Sequence, residues 1–420
     1  MKALQFLTTP DPWPEQLGED APPLLRNLST TPMAMRELDH PTLLADDWLV
    51  LDTDLCGICG SDSKQVLMDF EDAADSMMTA VISFPQVLGH EVVGRVAATG
   101  PAVTSVEPGQ RVVLNPWLSC APRGLDLCPA CEAGDLSGCW NFTHGRLSPG
   151  IHTGNAVEAT GGFAEAVPAH QSMVFPIPDS VSDEVAVLAD PWSVSLHAIT
   201  RNPPRPGSKV LVYGAGALGT TSVQILTQLF HDVDVGVIAR HPAQAALSRS
   251  MGATVFAHEP REALVEAIAE WSEAPLLQPW EGLPVAYPGT VEVVYDTVGS
   301  PLTIEAAMRV LAYRGTLVQM GVGSPGRFEW TPWYFKELRL VGSNAFGFET
   351  FEGETMHAID HYLRLADAGR IDLTGLLTHR FALADWREAF TTIVNQGDTG
   401  AIKVAFDYRG AGRPSGLGEK

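Results

Sequence analysis

Two short stretches bring together side chains that could hold a metal ion. Residues 55–62 read Leu-Cys-Gly-Ile-Cys-Gly-Ser-Asp, and residues 88–91 read Leu-Gly-His-Glu. Their Cys59 thiolate, His90 imidazole and Glu91 carboxylate form a donor set that suits Zn²⁺. A lone cysteine is as often a small buried hydrophobic residue, so the alternative is a core cysteine beside a core histidine. The carboxylates that follow in both stretches favour the metal.

A second cysteine cluster indicates another metal site. Cys120, Cys128, Cys131 and Cys139 lie within one short segment. Four thiolates so close together are typical of a closed tetrahedral zinc site, whose role is structural because no coordination position is left for substrate. The alternative is a lobe without metal that retains free thiols.

The middle of the chain carries the signature of a dinucleotide-binding loop. A short apolar strand, Lys209–Tyr213, leads into Gly-Ala-Gly-Ala-Leu-Gly, and an apolar helix follows over 220–229. The glycines permit a tight turn and close approach of the backbone to a pyrophosphate at the helix N-terminus. We therefore predict cofactor binding by Gly214, Gly216, Ala217, Leu218 and Gly219.

The residues after the next predicted strand, 233–238, favour NADP(H) over NAD(H). NAD-binding folds place an acidic residue about twenty positions after the glycine loop, on the ribose 2′-hydroxyl. Ala239 and Arg240 occupy that place here. A small residue leaves room for a phosphate, and arginine can bind it with two hydrogen bonds. The alternative is that Asp234 contacts the ribose and that Arg240 is only a solvated charge.

Composition limits the class of protein and its partners. The chain has 420 residues, too many for one core, so at least two domains are expected. Fifty acidic and 27 basic residues give a net charge of −23, which disfavours nucleic acid and anionic membranes as partners. We see no signal peptide and no long apolar run. Clustered cysteines favour metal binding in a reducing compartment, so we expect a cytoplasmic protein that acts on a small molecule.

The motifs at residues 57–62 and 89–91 resemble those of the zinc-dependent alcohol and polyol dehydrogenases in the medium-chain dehydrogenase/reductase superfamily. The likeness extends over nearly the whole chain. It implies an α/β fold in which a catalytic domain with a partly open, GroES-like β-barrel is interrupted by a doubly wound, parallel Rossmann domain. We expect the catalytic domain at 1–191 and 348–420, with a zinc lobe at about 115–145, and the Rossmann domain at 192–347. The resemblance also implies a homodimer or homotetramer.

The resemblance implies a catalytic zinc bound by Cys59 and His90. Asp190 aligns with the third ligand, and water or Glu91 would be the fourth. Asp190 could equally be the N-cap of a helix that begins at Pro191, because aspartate before proline is a good helix start. In the cysteine lobe, the position of the family's first zinc ligand is occupied by Leu125, which cannot bind metal, and Cys120 is the expected substitute.

Further roles follow from the same resemblance. Ser61 stands at the position of the family's proton-relay hydroxyl, and Lys64 stands where the next relay member is often histidine. Lys64 could carry the proton itself or bind the cofactor. Asp62 would orient His90 from behind. Val298 and Lys403 are expected at the cofactor.

The resulting hypothesis is a zinc-dependent oxidoreductase that transfers a hydride between a nicotinamide cofactor and an alcohol or carbonyl substrate. The alternatives are a zinc-independent quinone or enoyl reductase, a non-catalytic NADPH-binding protein, and a lyase that uses bound nucleotide transiently. Two long segments are also unusual. We expect residues 65–84 to form a packed surface helix, with a lining of the substrate cleft as the alternative. Residues 272–289 are expected to form a long loop that covers the adenosine or lies at a subunit contact.

Overall fold

The computed structural model describes residues 1–11, 13, 21–69, 76–230, 232–323 and 326–410. The first half of the chain is rich in strands, which are β1 (Lys2–Phe6), β2 (Met33–Glu37), β3 (Trp48–Gly57), β4 (Gln86–Val87), β5 (Glu91–Thr99), β6 (Arg111–Leu114), β7 (Ala166–His170) and β8 (Val174–Pro176). Its helices are α1 (Pro23–Thr30), α2 (Gly60–Val66), α3 (Pro129–Glu132), α4 (Asp183–Ala186) and α5 (Ala189–Arg201).

The middle of the chain alternates strands and helices. The strands are β9 (Lys209–Tyr213), β10 (Asp234–Ala239), β11 (Thr254–Ala257), β12 (Leu276–Leu277), β13 (Val285–Ala286), β14 (Val291–Asp296), β15 (Leu311–Gln319) and β16 (Arg339–Gly342). The helices are α6 (Ala217–Gln228), α7 (Pro242–Ser250), α8 (Arg261–Trp271), α9 (Pro301–Val310) and α10 (Thr331–Phe335). Six of these strands form one parallel sheet in the order β11-β10-β9-β14-β15-β16. This is the doubly wound order of dinucleotide-binding domains, and it confirms the predicted fold class.

The end of the chain returns to the first half. Its elements are β17 (Phe348–Phe351), β18 (Glu354–His357), α11 (Ala358–Asp367), β19 (Leu377–Phe381), α12 (Trp386–Val394), α13 (Gln396–Thr399) and β20 (Lys403–Asp407). β20 pairs antiparallel with β3, and the resulting sheet has the order β19-β20-β3-β5-β6-β8, with β7 also on β3. A separate sheet has the order β2-β1-β4. The last strand therefore completes the sheet that carries the first metal motif.

The central antiparallel pair of that sheet positions the candidate site. β3 and β5 pair along most of their length, and Gly57 at the end of β3 lies opposite Glu91 at the start of β5. Because antiparallel partners meet at the same end of a sheet, Cys59, just after β3, and His90, just before β5, come to the same edge. The register of this pair thus brings together two motifs that are thirty residues apart in the sequence.

One hydrophobic core joins the two halves of the chain. It contains Trp117 from the first half, Val210 of β9 from the parallel sheet, and Phe346 from the segment that returns. Helix α5 lies in this core, where its buried Trp192 donates to the Gln224 side chain of α6 at 2.6 Å. The start of α5 is therefore fixed against both the parallel sheet and the candidate site.

Two local predictions differ from the structure. No single helix covers 65–84: α2 ends at Val66, a short 3-10 helix spans Met77–Ala80, and residues 70–75 lie outside the described part. Helix α5 begins at Ala189, so Asp190 is inside its first turn and is not the N-cap. The two residues between α4 and α5, Val187 and Leu188, both have αR backbone angles, so α5 continues from α4 without a polar cap.

The long segment 272–289 forms a small hairpin rather than an irregular loop. β12 and β13 pair antiparallel, and the ammonium of buried Lys336 donates to the carbonyls of Ala286, Arg309 and Leu311 at 2.7–3.3 Å. These bonds tie the hairpin to α9 and β15. Trp280 at its tip is fully exposed. Whether the hairpin covers the adenosine or contacts another subunit stays a prediction.

Candidate active site and cysteine lobe

Asp62 holds the two metal motifs together. This buried carboxylate accepts the Cys59 N–H at 3.0 Å and the Gly89 N–H at 3.3 Å, and it lies 3.7 Å from His90 Nδ1. Cys59 is the residue before α2, so Asp62 is in the first turn, where a carboxylate is favourable. These contacts place Asp62 beside His90, and its orienting role stays a prediction.

Cys59, His90 and Glu91 converge on one point. Their ligand atoms all lie within 4.8 Å of one another, a spacing that one metal ion can span. Burial disfavours the charged form of His90, but the charges of Asp62 and Cys59 outweigh burial and raise the pKa of its imidazole well above its ordinary value. An environment that draws a proton onto a buried imidazole also favours a divalent cation there. The residues therefore fit a metal ion.

The carboxylate of Glu91 already has a cation. Lys403 of β20 forms an ion pair with it, and its ammonium also donates to the Ile58 carbonyl at 3.1 Å. Both side chains are buried. A Cβ at Gly57 would overlap the Glu91 carboxylate, so only glycine leaves room for the pair. Lys403 thus lies beside the candidate metal site, and its expected contact with the cofactor stays a prediction.

Asp190 lies close by but outside the three-residue group. It is buried at the start of α5. Burial raises the pKa of its carboxyl to about 7, while His90 and Lys403 act in the opposite direction and Glu91 adds to the rise. Such a carboxylate needs a cation to stay ionised at neutral pH. Its role as third ligand stays a prediction.

His152 is a site residue that the sequence analysis missed. Its ring centroid lies 4.5 Å from that of His90 and 6.0 Å from that of Trp117. Its Nδ1 lies 2.8 Å from the Thr153 carbonyl, so that nitrogen carries the proton. Burial, with the charge of His90, lowers the pKa of His152 to about 3. No motif surrounds it, and only its place in a glycine-rich stretch near the second cysteine cluster could have drawn attention.

The two predicted relay residues lie on α2, beside Cys59. Ser61 is exposed. Lys64 donates a hydrogen bond to the carbonyl of Val322, in the loop that follows β15 of the parallel sheet. This bond crosses from the metal motif to the dinucleotide-binding half. The proton-relay roles of Ser61 and Lys64 stay predictions.

The glycine loop has the geometry that its sequence predicted. Gly214 has a φ of +93°, and a Cβ at Gly219 would overlap the Gly214 carbonyl. Helix α6 begins directly after Gly216. Val298 borders the loop, because its side chain would lie 2.8 Å from a Cβ at Gly214. Asp296 fixes that neighbouring turn by accepting the Val298 N–H at 2.9 Å.

The four lobe cysteines form a second compact group. All four are buried, and their sulfur atoms lie within 4.8 Å of one another. The structure thus brings Cys120 to the other three. N–H groups point at the sulfurs: Cys128 N–H and Asn141 Nδ2 each lie 3.3 Å from Cys120 Sγ. Such donors favour thiolates, which are the metal-binding form.

A buried arginine holds the lobe in shape. The Arg123 guanidinium donates to five backbone carbonyls at 2.6–3.1 Å, those of Leu118, His144, Leu147, Ser148 and Gly150. It also lies within electrostatic range of Cys120 and Cys139. A guanidinium there partly offsets the negative charge of four thiolates.

Comparison with known proteins agrees with this geometry. The profile described as alcohol dehydrogenase GroES-like domain matches residues 45–179, and the profile described as zinc-binding dehydrogenase matches 217–360. The (R,R)-butanediol dehydrogenase of Saccharomyces cerevisiae (strain ATCC 204508 / S288c) is 28% identical over 86% of this chain and 92% of its own length. The D-arabinitol dehydrogenase 1 of Uromyces fabae is 25% identical over 84% and 89%.

A solved structure with the same fold is a zinc-binding dehydrogenase from Sinorhizobium meliloti 1021 bound to NADP. It has a TM-score of 0.68 and 25% identity, and the match covers 97% of this chain and 99% of that one. The fold and the two profiles define a zinc-type, dinucleotide-dependent oxidoreductase. The chain belongs to the zinc-dependent alcohol and polyol dehydrogenase branch of the medium-chain dehydrogenase/reductase superfamily.

The activity class follows from the family. The protein is a zinc-dependent oxidoreductase that transfers a hydride between a nicotinamide cofactor and an alcohol or carbonyl substrate. This confirms the function predicted from the motifs, in preference to the zinc-independent and non-catalytic alternatives. Within the described residues, no helix has both the length and the apolar character needed to cross a membrane.

The lobe gives one prediction. Cys128→Ser should remove about one of two zinc ions per chain and lower the melting temperature, because a structural zinc site contributes to folding directly. Turnover per folded molecule should fall less than stability. Metal analysis and thermal unfolding measure both. The control is Cys56→Ala, which lies outside both groups and should retain both ions. A wild type with one zinc and an alkylated Cys120 would contradict the assignment.

The buried ion pair gives a second prediction. Lys403→Met leaves the Glu91 carboxylate buried without its cation, so the free energy of unfolding should fall by about 3–5 kcal/mol. Adding Glu91→Gln should restore a large part of that loss. Urea denaturation measures the three variants. Lys209→Met, which breaks a more exposed pair with Asp234, is the control and should cost about 1 kcal/mol or less. Equal losses of unfolding free energy in Lys403→Met and Lys209→Met would refute the stabilising role of the Lys403–Glu91 pair.

Proposed function

We propose that this chain is an NADP(H)-dependent dehydrogenase of secondary alcohols that carry a neighbouring hydroxyl, such as vicinal diols and polyols. The observation that carries the catalytic part is the convergence of Cys59, His90 and Glu91 at the end of β3 and β5. When bound there, zinc would supply a Lewis acid for the substrate oxygen. The remaining tasks fall to residues of the chain.

Cys59, His90 and Asp190 are the proposed protein ligands of the catalytic zinc. Glu91 is engaged by Lys403 and is therefore the poorer third ligand. Asp190, by contrast, is buried beside His90 with a pKa raised by burial to about 7, and a nearby cation would restore its charge. Water, or Glu91 after release from Lys403, would be the fourth ligand. The four lobe cysteines would hold a second, structural zinc.

Proton transfer and substrate orientation are assigned to groups around the metal ligands. Ser61 is the proposed relay hydroxyl, because it is exposed two residues after Cys59. Lys64 would pass the proton on by releasing one of its own protons to water and then taking up the proton from Ser61, once its bond to the Val322 carbonyl opens. His152 would hydrogen-bond a second hydroxyl of the substrate, since its ring is neutral and its centroid lies 4.5 Å from that of His90. Val298 would border the nicotinamide from the glycine loop.

The preference for NADP(H) is supported by the end of β10. The strand ends at the buried Ala239, and the exposed Arg240 follows. Asp234 lies at the other end of the strand, where it pairs with Lys209. It is therefore far from the edge that carries the glycine loop. The end of β10 carries Arg240 and no acidic residue. Such a strand end suits a 2′-phosphate rather than a ribose hydroxyl. The NADP complex of the Sinorhizobium protein is consistent with this proposal.

The cofactor proposal predicts the effect of exchanging these two residues. Ala239→Asp with Arg240→Ala should shift the ratio of kcat/KM for NADP over NAD by about 100-fold or more towards NAD, because it removes a charge-assisted contact and adds a ribose acceptor. Steady-state kinetics with both cofactors measure the ratio. Asp234→Asn is the matched control and should leave it unchanged. A wild type that prefers NAD would contradict the proposal.

The substrate proposal rests on the printed names of relatives, which act on butanediol and arabinitol. We expect kcat/KM for 2,3-butanediol or a pentitol to exceed that for 2-butanol by about tenfold or more, since a hydrogen bond to the second hydroxyl is realised only with the diol. His152→Phe should reduce that ratio and leave 2-butanol turnover less affected, whereas Cys59→Ala should abolish both. Faster turnover of the mono-alcohol would contradict the substrate class.

The proposed assembly is a homodimer or homotetramer. β16 is an edge strand of the parallel sheet, and large apolar side chains near it are exposed, including Trp333, Tyr334, Phe335 and Leu340. Exposed apolar groups of this size on one side of a sheet are typical of subunit contacts.

A further inference from the structure

The three strand ends next to the glycine loop form one continuous edge. In the parallel pairing, Ile238 of β10 lies beside Tyr213 of β9, so Gly214 comes next to Ala239. Ala239 in turn lies beside Ala257 of β11. The next residues along the two strands, Arg240 and His258, therefore leave the sheet side by side, about 5 Å apart along the hydrogen-bonding direction.

Both of these side chains lack a counter-charge. Arg240 is exposed and His258 is half-buried, and in the part of the chain that the structure describes neither forms an ion pair or a side-chain hydrogen bond. A guanidinium without an ion pair, such as that of Arg240, is unusual in a chain with a net charge of −23. The two side chains stand where a doubly wound sheet binds the adenosine ribose.

A second histidine, His241, shows that these groups share one electrostatic environment. His241 follows Arg240 and precedes α7, and burial together with the charges of Arg240 and His258 lowers its pKa. The nearby acids are Asp398 of α13, which acts on His241, and Glu259 and the buried Asp296, which act on Tyr213. Arg261 also acts on Tyr213 and is paired with Glu305. The edge is therefore a basic corner with acids at its margin.

From this placement we infer that His258 is a second binding residue for the adenosine 2′-phosphate, acting with Arg240, and that it makes phosphate recognition pH-dependent. The inference rests on the proposed NADP(H) preference. A protonated imidazole beside a guanidinium adds a charge-assisted donor that the dianionic phosphate can accept. Protonation of His258 should thus be linked to binding of the phosphorylated cofactor and not to binding of NAD(H).

His241 is not assigned this role, because its ring packs away from the strand edge. A Cβ at Gly397 of α13 would lie 3.0 Å from His241 Nδ1. Its Nε2 is buried and has no hydrogen-bond partner among the described residues. Substituting His241 should therefore change the local field but not remove a phosphate ligand.

Calorimetric titration of the full-length enzyme with 2′,5′-ADP and with 5′-AMP tests the inference without turnover. The ratio of the two affinities cancels effects on the shared 5′-phosphate. In the wild type, the preference for 2′,5′-ADP should rise roughly fivefold between about pH 8 and about pH 6.5, because a protonated imidazole adds a charge-assisted donor to the 2′-phosphate. His258→Gln should lose that rise and retain the preference at about pH 8. Arg240→Ala should lower the preference for 2′,5′-ADP roughly tenfold at both pH values.

His241→Gln and the distant, exposed His40→Gln are the controls, and both should keep the wild-type rise. A rise that persists in His258→Gln, or that disappears in His241→Gln instead, would overturn the inference and leave the NADP(H) proposal intact. An equal loss at both pH values in His258→Gln would show a structural role only and would also overturn it. A wild type without preference for 2′,5′-ADP would refute the NADP(H) proposal and this inference together. Thermal unfolding verifies that each variant is folded. If His258→Gln is unfolded, His258→Asn takes its place.

Discussion

The buried ion pair between Glu91 and Lys403 is the constraint around which the candidate active site is arranged. It joins the start of β5 to the start of β20, so the last strand of the chain is bound to the motif that supplies His90. Removing two charges from water is costly and is repaid only by good geometry and further hydrogen bonds. The bond from Lys403 to Ile58 and the absence of a side chain at Gly57 provide that geometry. Because Lys403 already pairs with Glu91, Asp190 is the carboxylate that we propose as the third zinc ligand beside Cys59 and His90.

The cysteine lobe is connected to the same site through the segment that links the parallel sheet to the returning strands. Ser137 donates to the Asn344 carbonyl at 2.8 Å, and the Phe348 N–H donates to the Gly134 carbonyl at 2.9 Å. Arg201, at the end of α5, contacts both Asp135 of the lobe and Glu349 of β17. Because α5 begins beside the metal ligands, a folded lobe fixes the orientation of the helix that carries Asp190. A structural metal there would stabilise the active site from a distance.

The sequence predicted what repeated local patterns encode. The strand before the glycine loop and the loop itself were predictable because glycine spacing and apolar runs determine them locally, whereas the doubly wound parallel sheet was implied by the family resemblance. The cysteine lobe was predictable for a similar reason, since four thiols in one segment have few other uses. The alternative that Asp190 caps a helix was wrong because Val187 and Leu188, both with αR backbone angles, join the preceding turn 183–186 to α5, so the helix begins before Asp190. The long segment 65–84 was interpreted as one helix because its methionines suit a packed helical face, but α2 ends at Val66.

Long-range contacts explain the remaining differences. Lys403 and Glu91 are 312 residues apart in the sequence (403 − 91). Only the pairing of β20 with β3 shows that Lys403 lies beside the candidate metal site. His152 reaches His90 through a glycine-rich stretch without periodicity, which no pattern could place. The choice between Asp190 and Glu91 likewise depends on which carboxylate is already paired, and pairing is a property of the folded chain.

The most direct test of this account is a crystal structure of the zinc-loaded enzyme, with anomalous differences recorded on both sides of the zinc absorption edge. The account predicts two peaks per chain. One should lie about 2.0–2.3 Å from Cys59 Sγ, a His90 nitrogen and an Asp190 oxygen, with Glu91 still bound to Lys403, and the other should lie among the four lobe sulfurs. A map without a peak beside Cys59, or with Glu91 on the metal and Asp190 remote from it, would contradict the account.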